Sequence, residues 1–154
     1  AYEETRAVAK RLIALYAPYK YVSSPSDPCA VMLRIHYPAL LENDLTWLKL
    51  ATVLSAKTYE LTGVLVGVLG TAPKNLDQPA YSHEQLSRSI TYHDSCSGLR
   101  ELNIKIQPRT LLKNKGVNII EMNDRNVCCS FGCTSCVKYP DISGSMVDEK
   151  RGCI

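Results

Sequence analysis

The sequence predicts an α/β fold: a parallel-sheet, three-layer architecture in two pseudo-repeated halves, with cysteine loops at the carboxyl edge of the strands. Three observations predict it. Helical and strand patterns alternate along 154 residues, long enough for an ample core without covalent staples. The stretches "YKYVSSPSDPCAVML" (19–33) and "SITYHDSCSGLRELN" (89–103) then repeat one plan: a strand, a Ser/Asp turn, a cysteine, a helix. A parallel sheet generates that plan, because its strands end at the edge where its helices begin. Finally, cysteines gather at these turns. Cys29 and Cys96 occupy the two repeats, and four of the seven cysteines fall within 128–136.

Taken in order, residues 2–17 have helical spacing, with Val8, Leu12, Leu15 and Tyr16 on one face and Pro18 as the stop. "YKYVSS" (19–24) reads as a strand halted by "PSDP", and a helix runs from about Cys29 towards Tyr37, ending before Pro38. After Asn43 and Asp44 comes one long helical tract over 45–69, where Leu61, Val64, Leu65, Val68 and Leu69 keep the period. The polar, twice proline-broken segment 71–89 is a connection. "SITYHD" (89–94) is the second strand, "CSGLRELNI" starts a helix, Pro108 opens another through Lys113, and "VNIIEM" (117–122) is the third strand. The cysteine loop follows, then a final helix in "YPDISGSMVDEK". The chain therefore divides into 1–75 and 89–154, the two cysteine-rich halves, joined by 76–88.

Composition excludes several classes. A net charge of +3 with dispersed Lys and Arg gives no nucleic-acid track. The most apolar stretch, "LTGVLVGVLGTA" (61–72), is too short for a membrane span, which takes ~20 apolar residues. The first residues form an amphipathic helix with no cleavage signature, so no targeting segment is expected. An odd, unevenly placed set of cysteines in a helix-rich chain argues against a disulfide framework and for a reducing, cytoplasmic setting.

A cysteine at a helix start faces unpaired backbone N–H groups and the positive end of the helix dipole, which favours the thiolate. Thiolate is the form that binds iron or zinc. Cys128 and Cys129 follow a strand and are expected at the same sheet edge as Cys96, with Cys133, Cys136 and His93 as candidate additional ligands. The C-T-S-C of residues 133–136 is also a redox dithiol pattern and half of a zinc site. His93 has three readings: a ligand, a hydrogen-bond partner of sulfur, or an ordinary strand end. Lys138 and Tyr139 flank the loop and face either an anionic group or solvent; His36 and His83 receive no role. No Gly-rich phosphate loop, G-x-S-x-G elbow or H-E-x-x-H pattern occurs.

The segments "TYHDSC", "LRELNI", "QPRTLL", "IIEM", "VCCSFGCTSCVKYPDIS" and "MVDEK" resemble the cysteine-rich CCG-domain iron–sulfur oxidoreductases, in particular the lactate utilisation protein A group. "YVSSPSDPCAVMLRIHYPALLEND" and "KTYELTGVLVGVLG" resemble the stretch before it in the same group. The family pattern is a cysteine, roughly 31–38 residues, a Cys-Cys pair, about 33 more residues and a closing C-x-x-C, usually present twice. Residues 97–127, thirty-one of them, separate Cys96 from Cys128. The resemblance thus implies Cys96, Cys128 and Cys129 as ligands of the second site. Cys29 falls at the end of the first copy's closing motif, where Ser26 replaces the leading cysteine. Ser130 stands where the family has Gly, Cys133 replaces a second Gly, and Ser97 sits where His is frequent. With the outer cysteines of both copies missing, the chain reads as a middle section. The implied function is an electron-transfer subunit carrying a 4Fe–4S cluster in a cytoplasmic complex that oxidises L-lactate or a related hydroxy acid, with other iron–sulfur subunits as partners. Two alternatives stay open on the residues alone: a zinc-binding structural module using the same sulfurs, and a metal-free thiol–disulfide oxidoreductase working through Cys133 and Cys136.

Overall fold

Strand formation begins where the sequence turns aromatic and β-branched, and a computed structural model shows where those stretches pair. It describes residues 2–70, 89–123, 126–130 and 134–152. The chain is α/β, and its contacts divide it into two units, 1–70 and 71–154.

In the first unit helix α1 (Tyr2–Tyr16) is followed by β1 (Val22–Ser24), α2 (Asp27–Val31), a π-helical turn (Met32–His36) and α3 (Tyr37–Leu40). Helix α4 (Leu45–Lys57) then leads into β2 (Thr58–Glu60), α5 (Leu61–Gly63) and a second π turn (Val64–Val68). β1 and β2 pair in parallel, Val22 with Thr58 and Ser24 with Glu60. Tyr21 and Tyr59 meet edge to face beside them, ring centroids 6.2 Å apart. The core behind this pair is Ala9, Ile13, Val22, Leu33, Tyr37, Leu41, Ala51 and Leu54.

Three expectations change here. The buried face of α1 is Ala9 and Ile13 with Leu12 and Tyr16 packed beside them, whereas Val8 and Leu15 are exposed. That set follows the i, i+3, i+4, i+7 rule, with the small Ala9 at 0% exposure against the core. Pro38 does not end its helix. The preceding turn widens so that the Tyr37 N–H bonds to the Met32 carbonyl. The Arg34 carbonyl, whose α-helical partner would be the N–H that proline lacks, accepts the Ser55 hydroxyl at 2.6 Å. The tract 45–69 is not one helix either, because Thr58–Glu60 breaks out as a strand to pair with β1.

The second unit repeats the plan. β3 (Ser89–Ile90) leads to α6 (Cys96–Glu101) and α7 (Ile106–Asn114); Gly116, at φ +77°, turns the chain into β4 (Asn118–Ile119). β3 and β4 pair in parallel, Ser89 with Asn118 and Ile90 with Ile119. Parallel pairing sends the segments that follow both strands off the same edge. Helices α8 (Thr134–Lys138) and α9 (Pro140–Arg151) complete the described part.

The buried side chains described in this unit are mostly polar. Among the described residues its buried side chains include Asp94, Arg109, Ser130, Ser143 and Lys150 beside the apolar Met122. Arg109, on α7, is the hub. Its guanidinium takes Asp94 in a two-pronged bond, both contacts 2.7 Å, and Glu121 in another, 2.6 and 2.9 Å, while Nη1 also donates to the Lys105 carbonyl at 2.7 Å. All five guanidinium N–H groups are thereby used, and the Tyr92 ring lies 5.1 Å from its carbon. Asp94 precedes Cys96 by two residues and Glu121 closes the strand stretch before Cys128, so one side chain fixes both cysteine-bearing segments. Removing it leaves a carboxylate buried without its cation, a loss of about 3–5 kcal/mol. Arg109→Leu is expected to lower unfolding stability by several kcal/mol in urea titration, with Arg109→Lys recovering less than half, since an ammonium cannot make the two forks. A loss under about 1 kcal/mol for the leucine variant would remove the hub from this account.

Candidate sulfur site

The Ser95 hydroxyl caps α6 by accepting the Gly98 N–H at 3.5 Å, and this places Cys96 in the first turn. Cys128 and Cys129 follow β4 by way of Glu121 and the buried Met122. The two segments converge: the Cys96 and Cys128 side chains lie within reach of one another. The Ser130 N–H points at the same sulfur, 3.2 Å away. It can do so because Ser130 adopts φ +58°, the left-handed region that favours glycine.

Burial, then the Cys128 side chain, pushes the Cys96 thiol up to about 11. Cys128 moves the other way, lowered by the Cys96 side chain first and the Ser130 N–H second, with Arg100 and Lys150 adding positive field. This corrects the expectation that the helix start acidifies Cys96. One turn of dipole is outweighed by burial and by a neighbouring sulfur that takes the negative charge instead. Of the pair, Cys128 is therefore the sulfur that gives up its proton more readily and Cys96 the one that keeps it.

The other predicted residues are distributed as follows. Cys129 is half-buried and close enough to act on Cys96. Cys136, half-buried, lies on α8, while Lys138 and Tyr139 are exposed. Cys133, Cys153 and His83 lie outside the described residues. His93 has a buried Nδ1 with no hydrogen-bond partner among the described residues, and burial followed by the nearby Lys150 holds its imidazole below the ordinary range against the pull of Asp94. Cys29 belongs to the other unit, exposed in α2 and opening on a cavity of about 440 Å³ that Tyr16, Ser24 and Tyr37 also line. The five cysteines described carry no disulfide.

Among the described residues no group of three or more His, Cys, Asp or Glu side chains is gathered closely enough to hold a metal ion. The donor chemistry nonetheless fits a thiolate-bound group in kind: two sulfurs within reach of one another, a third next in sequence, a backbone N–H on sulfur, two cations nearby and an imidazole nitrogen without a partner among the described residues. Sequence reasoning missed Arg109, Arg100, Ser143 and Lys150. The spacing of Ser143 and Lys150, two helical turns apart, marks them as sharing a face, but nothing in the sequence marks Arg109 as buried.

The model of the cysteine-rich CCG domain family matches residues 90–153. Lactate utilization protein A of Bacillus velezensis is 38% identical over 152 residues, covering 98% of this chain and 60% of that protein. The protein of the same name from Bacillus subtilis gives the same figures, 38%, 98% and 60%, and that of Shouchella clausii is 41% identical over 152 residues with 98% and 60% covered. The chain therefore spans about three-fifths of the length of the curated relatives it matches. No solved structure matches it.

The opposed shifts of the two sulfurs set an order of reaction. A thiol with its pKa near 11 is only about a thousandth ionised at pH 8, while Cys128, shifted down, carries a far larger thiolate fraction. Iodoacetamide at pH 8, applied to the reduced, metal-free chain, is expected to alkylate Cys128 at least tenfold faster than Cys96, read by peptide mass mapping. Equal rates would contradict the opposed shifts.

Proposed function

We propose, from the match of residues 90–153 to the cysteine-rich CCG domain model and the similarity of nearly the whole chain to lactate utilization protein A, that the chain is a CCG-family segment acting in lactate utilisation as an electron-transfer part of an iron–sulfur subunit. The observation that carries the proposal is the meeting of Cys96 with Cys128, two sulfurs with thirty-one residues between them in sequence.

In this reading Cys96, Cys128 and Cys129 supply thiolates to the group, and Cys133, Cys136 and His93 are the candidates to complete the set. A bound iron–sulfur cluster supplies one-electron storage and relay. The chain's own residues do the rest. Arg109 holds the two cysteine segments at one edge, the Ser130 N–H stabilises negative charge on sulfur, and Cys96 gives up its proton when it ligates. Cys29 is the corresponding donor for a second group in the first half. Free cysteines suit a reducing, cytoplasmic compartment, and the natural partners are further iron–sulfur subunits of a hydroxy-acid oxidation system. No helix among the described residues is long and apolar enough to cross a membrane.

A second reading, thiol–disulfide exchange, is favoured by the same contact, since an acidified sulfur beside a protonated one is also how a dithiol works. Metal analysis separates the two. Chain purified without oxygen and loaded with iron and sulfide is expected to be brown, and Cys129→Ser to lose most of its iron and visible absorbance. Full retention of iron by that variant would remove Cys129 from the ligand set. A colourless wild-type chain that keeps zinc, or one that binds no metal and exchanges thiols, would replace the iron–sulfur reading.

A further inference from the structure

The cavity in the first unit is built for a different kind of ligand from the sulfur site of the second. It has a volume of about 440 Å³ and runs along β1 to the carboxyl end of that strand, where Ser24 and Pro25 line it. Open α/β sheets bind ligands in the crevice beyond the carboxyl ends of their strands, and pockets that hold small molecules measure roughly 300–1,000 Å³. Leu12, Val22, Met32 and Leu33 make its walls largely apolar.

Two features of the lining restrict the occupant. The first is charge: among the described residues that line the cavity there is no Lys, Arg, His, Asp or Glu. An anion would leave water with no cation to face it, which apolar walls do not offset. The second is an unused donor. Tyr37 is only 5% exposed and lines the cavity, and its hydroxyl has no hydrogen-bond partner among the described residues. The described buried polar atoms sealed off without a partner are Thr91 Oγ1 and His93 Nδ1. The Tyr37 oxygen is not one of them, so it meets the cavity. A buried tyrosine hydroxyl ordinarily finds a partner. Ser24 leaves that role open, since its hydroxyl donates to the Ser26 carbonyl at 3.0 Å and accepts the Ser26 N–H at 3.3 Å. A phenol donates more readily than it accepts, because its ring draws on the oxygen lone pair. The missing partner of Tyr37 is therefore an acceptor.

We propose that this cavity binds an uncharged carbonyl compound with an apolar, ring-sized body, its oxygen accepting the Tyr37 hydroxyl and its body lying against Leu12, Val22 and Leu33. The Tyr16 ring, also in the lining, gives that body an aromatic neighbour. Hydroxy-acid anions are refused here for want of a cation. The association makes and breaks no covalent bond. It uses neither a metal nor the ionisation of a thiol, so it stands whether or not the iron–sulfur reading does.

The probe is benzophenone, a neutral diaryl ketone that does not add to thiols and so leaves the neighbouring Cys29 unmodified. It is titrated into the full, reduced chain by saturation-transfer NMR, and irradiation then attaches the bound ketone to nearby C–H groups for peptide mapping. Benzophenone is expected to bind and to label peptides within residues 12–37. Diphenylmethane, which lacks the carbonyl, should bind more weakly, and 4-benzoylbenzoate, which adds a carboxylate, more weakly than benzophenone as well. Tyr37→Phe removes the hydroxyl alone; it is expected to weaken benzophenone about fivefold, the worth of one hydrogen bond, and to leave diphenylmethane unchanged. Met32→Trp, at a residue 37% exposed, fills the cavity and should weaken both. Undiminished benzophenone binding by either variant overturns the proposal. So does labelling confined to other peptides, tighter binding of 4-benzoylbenzoate than of benzophenone, or a wild-type chain that binds no benzophenone.

Discussion

A single guanidinium organises the second unit. Arg109 directs all five of its N–H groups at Asp94, Glu121 and the Lys105 carbonyl at the start of its own helix, and the two carboxylates come from the two segments that must be aligned for the sulfurs to meet. A buried ionic hub of this kind is a poor source of net stability, because its desolvation cost consumes most of the attraction. What it supplies is geometry. Planar forks accept a carboxylate in one orientation, whereas an apolar contact would tolerate a slide of a residue or more. The unit needs that precision because the two strands among its described residues are only two residues each, and such short ladders fix register weakly by themselves.

The sulfur chemistry follows from this alignment. Two cysteines brought together inside a protein do not stay equivalent. The one with the N–H of Ser130 and the cations beside it takes the negative charge, and the other keeps the proton. Ser130 shows how local backbone shape enters the chemistry, since its left-handed conformation turns the N–H back on to Cys128. A glycine adopts that shape at no steric cost, while serine pays about 1 kcal/mol or more. The conformation persists here with its carbonyl held by Ser143 on the last helix.

Much of this architecture was legible beforehand, and the reasons are physical. A strand, a turn and a cysteine opening a helix form a local pattern, so both repeats were readable in "YVSSPSDPC" and "SITYHDSC". The parallel pairing of each strand pair followed from that plan. Where tertiary contacts override local pattern, the reading failed. Thr58–Glu60 became a strand because β1 offered it a ladder, and Pro38 was tolerated because Ser55, far along the chain, satisfies the carbonyl it orphans. On α1, Leu12 and Tyr16 pack as the spacing predicts, while Ala9 and Ile13 are buried in place of Val8 and Leu15, because a large apolar residue can sit in solvent while a small alanine packs. Nothing in "QPRTLL" marks Arg109, since a buried arginine cannot be told from a solvated one until its partners are known. Lys150 was hidden in the same way.

The account's central claim is that the segments carrying Cys96 and Cys128 are held in contact at one edge of the second unit. Gentle diamide oxidation of the reduced, metal-free chain, followed by peptide mapping, tests this directly. Adjacent Cys128 and Cys129 are poorly placed to bridge each other. The account predicts a Cys96–Cys128 disulfide as the main product within this unit. Recovery of Cys96 unlinked while Cys128 joins another cysteine would contradict it.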